Sequence, residues 1–187
     1  MKRILLALLA LLLCFCTSLC LFSCQKKLTE EEWRAAFAFE NVRVDCVTEP
    51  WQQEPSFKTP LYNGSHFLFD GEKAAVANVS EQLIGESEPT FYEKLFLERR
   101  EILRLFDFSD CFDEFTRQKD GTYFCEKSSR KDVVWQNDCI KNVSVTITDG
   151  LVSKISYTYY ITEISAPTIY TFTFSEYGQV VLQAPAE

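Results

Sequence analysis

Cys139-Ile140-Lys141-Asn142-Val143-Ser144-Val145-Thr146-Ile147-Thr148, then Asp149-Gly150, then Leu151-Val152-Ser153-Lys154-Ile155-Ser156-Tyr157-Thr158-Tyr159-Tyr160-Ile161-Thr162 reads as two β-strands about a turn. Branched and aromatic residues fill a half-buried pleat well, and the apolar positions recur every second residue. Val143, Val145 and Ile147 share one face, and Leu151, Ile155, Tyr157, Tyr159 and Ile161 share another. Both sets fall on one side of a sheet if Ile147 pairs with Leu151. The spacing therefore predicts a three-residue loop, Thr148-Asp149-Gly150, with Gly150 left-handed in a bulge. A two-residue turn would send the two apolar faces to opposite sides.

The same signals recur on either side of this hairpin. Ile169–Phe174 carries Tyr170, Phe172 and Phe174 on one face, and Val180–Leu182 follows Gly178 as a last strand. Upstream, Phe115–Lys119 and Thr122–Glu126 flank Asp120-Gly121, and residues 127–138 form a polar loop containing Trp135. His66–Phe69 and Glu72–Val79 flank Asp70-Gly71, and Val42, Val44 and Cys46 alternate along a further strand. Glu49–Pro60 holds three prolines and reads as a loop or irregular edge. Two segments have helical period instead. Thr29-Glu30-Glu31-Glu32 is a capping box, stapled by Leu28 and Trp33, and opens a short helix with Trp33, Ala36 and Phe37 on its apolar stripe. Pro89–Phe106 places Phe91, Tyr92, Leu95, Phe96, Ile102, Leu103 and Phe106 on one face and is expected to be a long helix. Together these predict an α+β domain: a curled antiparallel sheet of about eight strands, a half-barrel, with one long and one short helix packed on it.

The amino terminus has another purpose. Met1-Lys2-Arg3 precedes an apolar run from Ile4 to Phe22, the pattern of an export signal. The run ends in Leu21-Phe22-Ser23-Cys24, which resembles the lipobox of bacterial lipoproteins. Leu21 and Ser23 fit that pattern, whereas Phe22 stands where a small residue is usual. The resemblance implies a diacylglycerol thioether on Cys24 and cleavage before it, the acyl chains holding the protein to the membrane. An uncleaved membrane anchor and a plain secretory signal are the alternatives, and all three place the domain outside the cytoplasm. Residues 1–23 are thus read as a lipoprotein signal peptide, 24–28 as a tether and 29–187 as a single domain.

The full chain is 187 residues, 47% hydrophobic, with a net charge of −8. Without residues 1–23, which carry Lys2 and Arg3, the remainder is about −10, a balance that argues against nucleic-acid binding. The one histidine, His66, precludes a multi-histidine metal site within one chain and reads as a surface or sheet-edge residue. Asp107, Asp110, Asp113 and Glu114 follow the expected long helix at a spacing unlike a calcium loop, and read as a helix terminus and connection. Asn63-Gly64-Ser65, Asn78-Val79-Ser80 and Asn142-Val143-Ser144 are formal glycosylation sequons, which carry no meaning in a bacterial lipoprotein. No phosphate loop, nucleophile elbow or metal-binding helix motif is present. The expectation is a protein with no enzymatic activity, cofactor or metal.

Three stretches together resemble a family: Leu28-Thr29-Glu30-Glu31-Glu32-Trp33 leading to Phe39-Glu40-Asn41-Val42; Asp120-Gly121-Thr122-Tyr123 with Val145-Thr146-Ile147-Thr148-Asp149-Gly150; and Tyr170-Thr171-Phe172-Thr173-Phe174-Ser175-Glu176-Tyr177-Gly178-Gln179-Val180, ending at Pro185. The pattern resembles uncharacterised lipoproteins of Firmicutes. These are in turn similar to the superfamily of the lipoprotein carrier LolA and the mycobacterial glycolipid-binding lipoproteins. The resemblance implies a half-open barrel with helices against its concave side, sometimes enclosing a cavity for acyl chains, and it transfers no catalytic or ligand-binding residue. The functional expectation is a membrane-anchored extracytoplasmic lipoprotein with a binding or envelope-interaction role. The alternative is a carrier of a lipid or other apolar ligand between sheet and helices.

Besides Cys24, the domain contains Cys46, Cys111, Cys125 and Cys139. An even set outside the cytoplasm suggests two disulfides, with three connectivities possible. Cys125 and Cys139 flank one loop and read as cross-strand neighbours, which would leave Cys46 with Cys111; buried free thiols are the alternative.

Overall fold

Alternating apolar residues and Asp-Gly turns build one large antiparallel sheet. In the computed structural model, residues 27–49, 59–82, 90–130, 139–160 and 167–183 are described. The order along the chain is α1 (Glu30–Ala36), β1 (Asn41–Glu49), β2 (Thr59–Leu61), β3 (His66–Asp70), β4 (Lys73–Gln82), β5 (Thr90–Phe96) and α2 (Arg99–Leu103). A 3₁₀ segment (Ser109–Glu114) follows, then β6 (Thr116–Arg117), β7 (Tyr123–Lys127), β8 (Cys139–Thr148), β9 (Leu151–Tyr160) and β10 (Thr168–Ser175). All ten strands join one sheet, in the order β2-β4-β3-β1-β10-β9-β8-β7-β6, with β5 also on β4. β2 and β3 share one edge of β4, and β5 takes the other. No pairing between described residues joins β5 to β6, so the sheet is open rather than a closed barrel.

The architecture is α+β, with more strands than the eight expected and shorter helices. The main change lies in residues 89–106, where the expected long helix is replaced by strand β5 and the five-residue helix α2. Thr90-Phe91-Tyr92 favours strand, and the free edge of β4 offers backbone partners from Ala75 to Glu81. In this arrangement Phe91 is 64% exposed, so it does not lie on a buried helical stripe. The capping box of α1 forms as read: Thr29 Oγ1 accepts from the Glu32 N–H and the Thr29 N–H donates to Glu32.

The β8–β9 turn also differs from expectation. Thr148 pairs with Leu151, so Asp149-Gly150 is a two-residue turn with both φ angles positive, 53° and 79°. A bulge reconciles the faces. Thr146 pairs with Lys154 and Ile147 with Val152, leaving Ser153 as the extra residue. Its hydroxyl donates to the Thr146 carbonyl at 3.2 Å. Val152 therefore turns inward with Ile155 and Tyr157, and Leu151 is 36% exposed.

Val180–Leu182 is not a strand. β10 already pairs with β9 and β1, so the tail has no ladder to join. Side chains hold it instead: the Val180 N–H donates to Asn41 Oδ1 at 2.8 Å and the Leu182 N–H to Asp70 Oδ2 at 2.9 Å. Val180 and Leu182 pack on Ala75 in a small second core with Leu68 and Phe96. The main core lies on the opposite face, which carries Val42, Val44, Cys46, Phe67, Phe69, Val143, Val145, Ile155, Tyr157, Phe172 and Phe174. α1 covers it with Trp33 and Ala36, α2 with Ile102, and the connection that follows α2 with Phe106 and Phe108.

Candidate functional site

The space between sheet and helices is where an apolar ligand would sit, and its lining follows from strand parity. Phe67 and Phe69 on β3 and Phe172 and Phe174 on β10 point inward because alternate residues of a strand share a face. Phe106, just after α2, descends among them with ring centroids 5.1 Å from Phe172, 5.4 Å from Phe174, 5.6 Å from Phe39 and 5.8 Å from Phe67. At these separations the rings are in contact, so the described interior is filled by side chains from both layers. The buried polar heads have partners too. Trp33 Nε1 donates to the Phe108 carbonyl at 3.0 Å, and the Tyr157 hydroxyl donates to the Leu105 carbonyl at 2.8 Å. Burial raises Tyr157 well above the usual phenol range.

At one end the aromatic stack reaches solvent. Tyr170 lies 5.5 Å from Tyr157 and 6.0 Å from Phe172, both stacked, and Tyr159 meets Tyr170 edge-on at 6.0 Å. Tyr62 tilts against Phe67 at 5.2 Å. Tyr62, Tyr159 and Tyr170 are half-buried and form the rim of the interior. Sequence reasoning found the aromatic stripes of β9 and β10 but not Tyr62, which stands in a turn with no periodicity.

A surface groove, open to solvent and about 840 Å³, lies beside α2 between Glu72, Lys73, Phe96, Glu98, Arg100 and Leu103. Its wall is braced by Arg99, which donates to the Gly71 and Phe39 carbonyls and stands over the Phe69 ring. Charges of both signs line it.

His66 is not at a sheet edge. It begins β3 on the face away from the main core, with Nδ1 2.5 Å from Asp45 Oδ1 and 3.0 Å from Arg43 Nη2. Arg43 also bonds Asp45 at 2.9 Å and reaches Glu176 at 3.6 Å. The carboxylates after α2 are dispersed: Asp107 accepts from the Ser109 N–H, Asp110 pairs with Arg34, and Glu114 accepts from Ser129. Among the described residues no group of three or more His, Cys, Asp or Glu is placed to hold a metal.

Cys46, Cys111 and Cys125 are free thiols in this structure, and the Cys139 side chain lies outside the described residues. Cys125 is aligned with Val143 and Lys127 with Lys141. Cys139 therefore lies four positions beyond Cys125's partner, roughly 14 Å along the strand and outside disulfide reach. Cys46 is buried on β1 beneath the sheet's aromatic face, where desolvation pushes its thiol up to about 12. Cys24 and residues 1–23 lie outside the described residues, as do the loop at 131–138 and Pro185. No helix among the described residues is long and apolar enough to cross a membrane. No family model, no curated protein and no solved structure matches the chain.

Proposed function

We propose that the chain is an extracytoplasmic lipoprotein, held to the membrane by a lipid on Cys24, whose domain has a binding or envelope-interaction role without catalysis. The observation that carries the non-carrier reading is the mutual contact of Phe39, Phe67, Phe106, Phe172 and Phe174, which leaves those rings no room for an acyl chain between them. The anchor reading rests on Leu21-Phe22-Ser23-Cys24 after a basic start and an apolar run. α1 begins at Glu30, so the tether is short and keeps the domain near the bilayer surface. Labelling with radioactive palmitate tests the anchor. Label is expected on the wild type and lost in Cys24→Ala; unchanged label in that variant rejects the assignment.

A carrier of a lipid or other apolar ligand is the second reading. The half-buried rim of Tyr62, Tyr159 and Tyr170 favours it, as does the LolA-like resemblance, which the open antiparallel sheet with helices on one face supports. Native mass spectrometry of protein expressed from residue 25 separates the two. A co-purifying or added lipid that stays bound at micromolar protein favours the carrier, and bare protein favours the interaction role.

A further inference from the structure

The segment after β10 sits on the sheet as a bound peptide would. Along Val180-Val181-Leu182 exposure alternates at 7%, 79% and 3%, the pattern of an extended chain with one face down. No strand pairing among the described residues includes this tail. Side chains read its backbone instead. The Asn41 amide takes both groups of Val180: Oδ1 accepts from the N–H and Nδ2 donates to the carbonyl, each at 2.8 Å. Asp70 Oδ2 accepts from the Leu182 N–H at 2.9 Å, and Asp70 Oδ1 accepts from Asn41 Nδ2 at 3.2 Å, which ties the two reading groups together. Such bonds recognise any extended backbone, so selectivity falls to the two buried side chains. Those pack on Ala75, Leu68 and Phe96, a cluster separate from the main core.

The tail is also built to lift. It leaves β10 through a turn closed by the Gln179 N–H and the Glu176 carbonyl at 3.0 Å, in which Glu176 and Gly178 have φ of 54° and 71°. The left-handed conformation is unfavourable for glutamate, and opening the turn relieves it. Only two buried side chains and three hydrogen bonds to Val180 and Leu182 oppose the entropy of ordering the tail, and lifting it breaks no ladder.

We propose that Asn41, Asp70, Leu68, Ala75 and Phe96 form a peptide-docking site, occupied in cis by the chain's own tail. Its partner is an extended segment of another protein with branched apolar residues at alternate positions, as in Val180 and Leu182. Phe96 also lines the groove beside α2. A segment longer than the tail continues past Phe96 into that groove, and the added contact displaces the tail. The tail of a second copy would replace the resident one like for like, without that gain. The site gives the interaction role proposed above a surface and rests on that role for its partner. Its test does not involve Cys24, so failure here leaves the palmitate result standing.

The probe is a fluorescein-labelled synthetic peptide of residues 178–187, titrated by anisotropy into the full-length chain and into the full-length Val180→Asp/Leu182→Asp variant, whose tail is driven off the seat. Saturable binding to the variant is expected below about 1 mM, and roughly tenfold weaker binding to the wild type, where the tethered tail competes at millimolar effective concentration. Adding Asp70→Ala to the variant should weaken binding roughly tenfold, and a peptide carrying the same two aspartates should not bind. Buried Trp33 reports by its fluorescence that the main core is intact, and Leu182→Ser is the milder variant if the double one unfolds. No binding to a folded variant overturns the proposal, as does equal binding to wild type and variant or indifference to Asp70→Ala. Unfolding of Leu182→Ser overturns it too, because the tail would then be part of what holds the fold. A wild-type dimer in sedimentation that is lost in the double variant makes the occupant a second copy and overturns the assignment to another protein.

Discussion

Phe106→Ala removes the ring on which the two halves of the core converge. Phe106 is fully buried and meets Phe39 before β1, Phe67 and Phe69 on β3, and Phe172 and Phe174 on β10. Removing a fully buried phenylalanine costs about 3–5 kcal/mol, part transfer free energy and part the cavity left behind. The neighbours here belong to paired strands in the middle of the sheet and cannot close the gap, which puts the expected loss near the upper end, about 4 kcal/mol. Against a total stability of roughly 5–15 kcal/mol, that is a large fraction of what holds the domain together. The melting temperature should fall by roughly 8–16 °C. Urea titration followed by tryptophan fluorescence measures the free-energy loss, since Trp33 is buried and unfolding exposes it. Phe106→Leu should recover more than half of the loss. A Phe106→Ala cost below about 1 kcal/mol would refute the packed interior and point to a cavity that already tolerates missing volume.

Four further outcomes follow from named groups. Thr29→Ala breaks the reciprocal bonds with Glu32 and should cost about 1 kcal/mol in the same titration, with Thr29→Ser near neutral. Gly150→Ala should cost about 1 kcal/mol from backbone strain alone, because φ is +79° while an added Cβ meets nothing within 4 Å. The Cys46 thiol is raised from 9.0 to about 12 by burial, so the unfolded chain loses that proton first and stability present below pH 9 should decline as pH rises toward 12. Its slope approaches 1.4 kcal/mol per pH unit, and Cys46→Ala should flatten it in alkaline denaturant titrations. Arg43→Ala, by contrast, should change stability by less than about 1 kcal/mol although it breaks contacts with Asp45, His66 and Glu176, since those groups are partly solvated.

Period-2 patterns located the strands because burial on one face leaves a mark in every second residue, as in Val42, Val44 and Cys46. Three features escaped that logic. Phe91, Tyr92, Leu95 and Phe96 satisfy a helical stripe, but the available edge of β4 decides their state, and an edge is a tertiary fact. The β8–β9 register departs from simple parity because one extra residue at Ser153 breaks the pleat and changes parity after a tight turn. Cys125 and Cys139 are neighbours in sequence across one loop, but strand register decides which residues stand opposite each other. The alignment of Cys125 with Val143 depends on how far β7 and β8 extend, which no local pattern records. The aromatic character of the interior was legible; that the rings fill it depends on Phe106, placed by the short helix that replaced the long one.

β1 is made early yet lies mid-sheet, with β3 on one side and β10, made last of all the strands, on the other. The β1–β10 ladder from Arg43–Ser175 to Glu49–Ile169 is the seam between two half-sheets, β1 to β5 and β6 to β10. Such long-range pairing makes folding slow, on the order of milliseconds to seconds. Until Thr168–Ser175 arrives, β1 presents a bare row of backbone donors and acceptors beside an apolar face, the arrangement that invites pairing with another chain. A product truncated before residue 168 therefore loses its closing seam rather than a frayed edge, and the nascent chain has its greatest need of a holding chaperone until Thr168–Ser175 has been made.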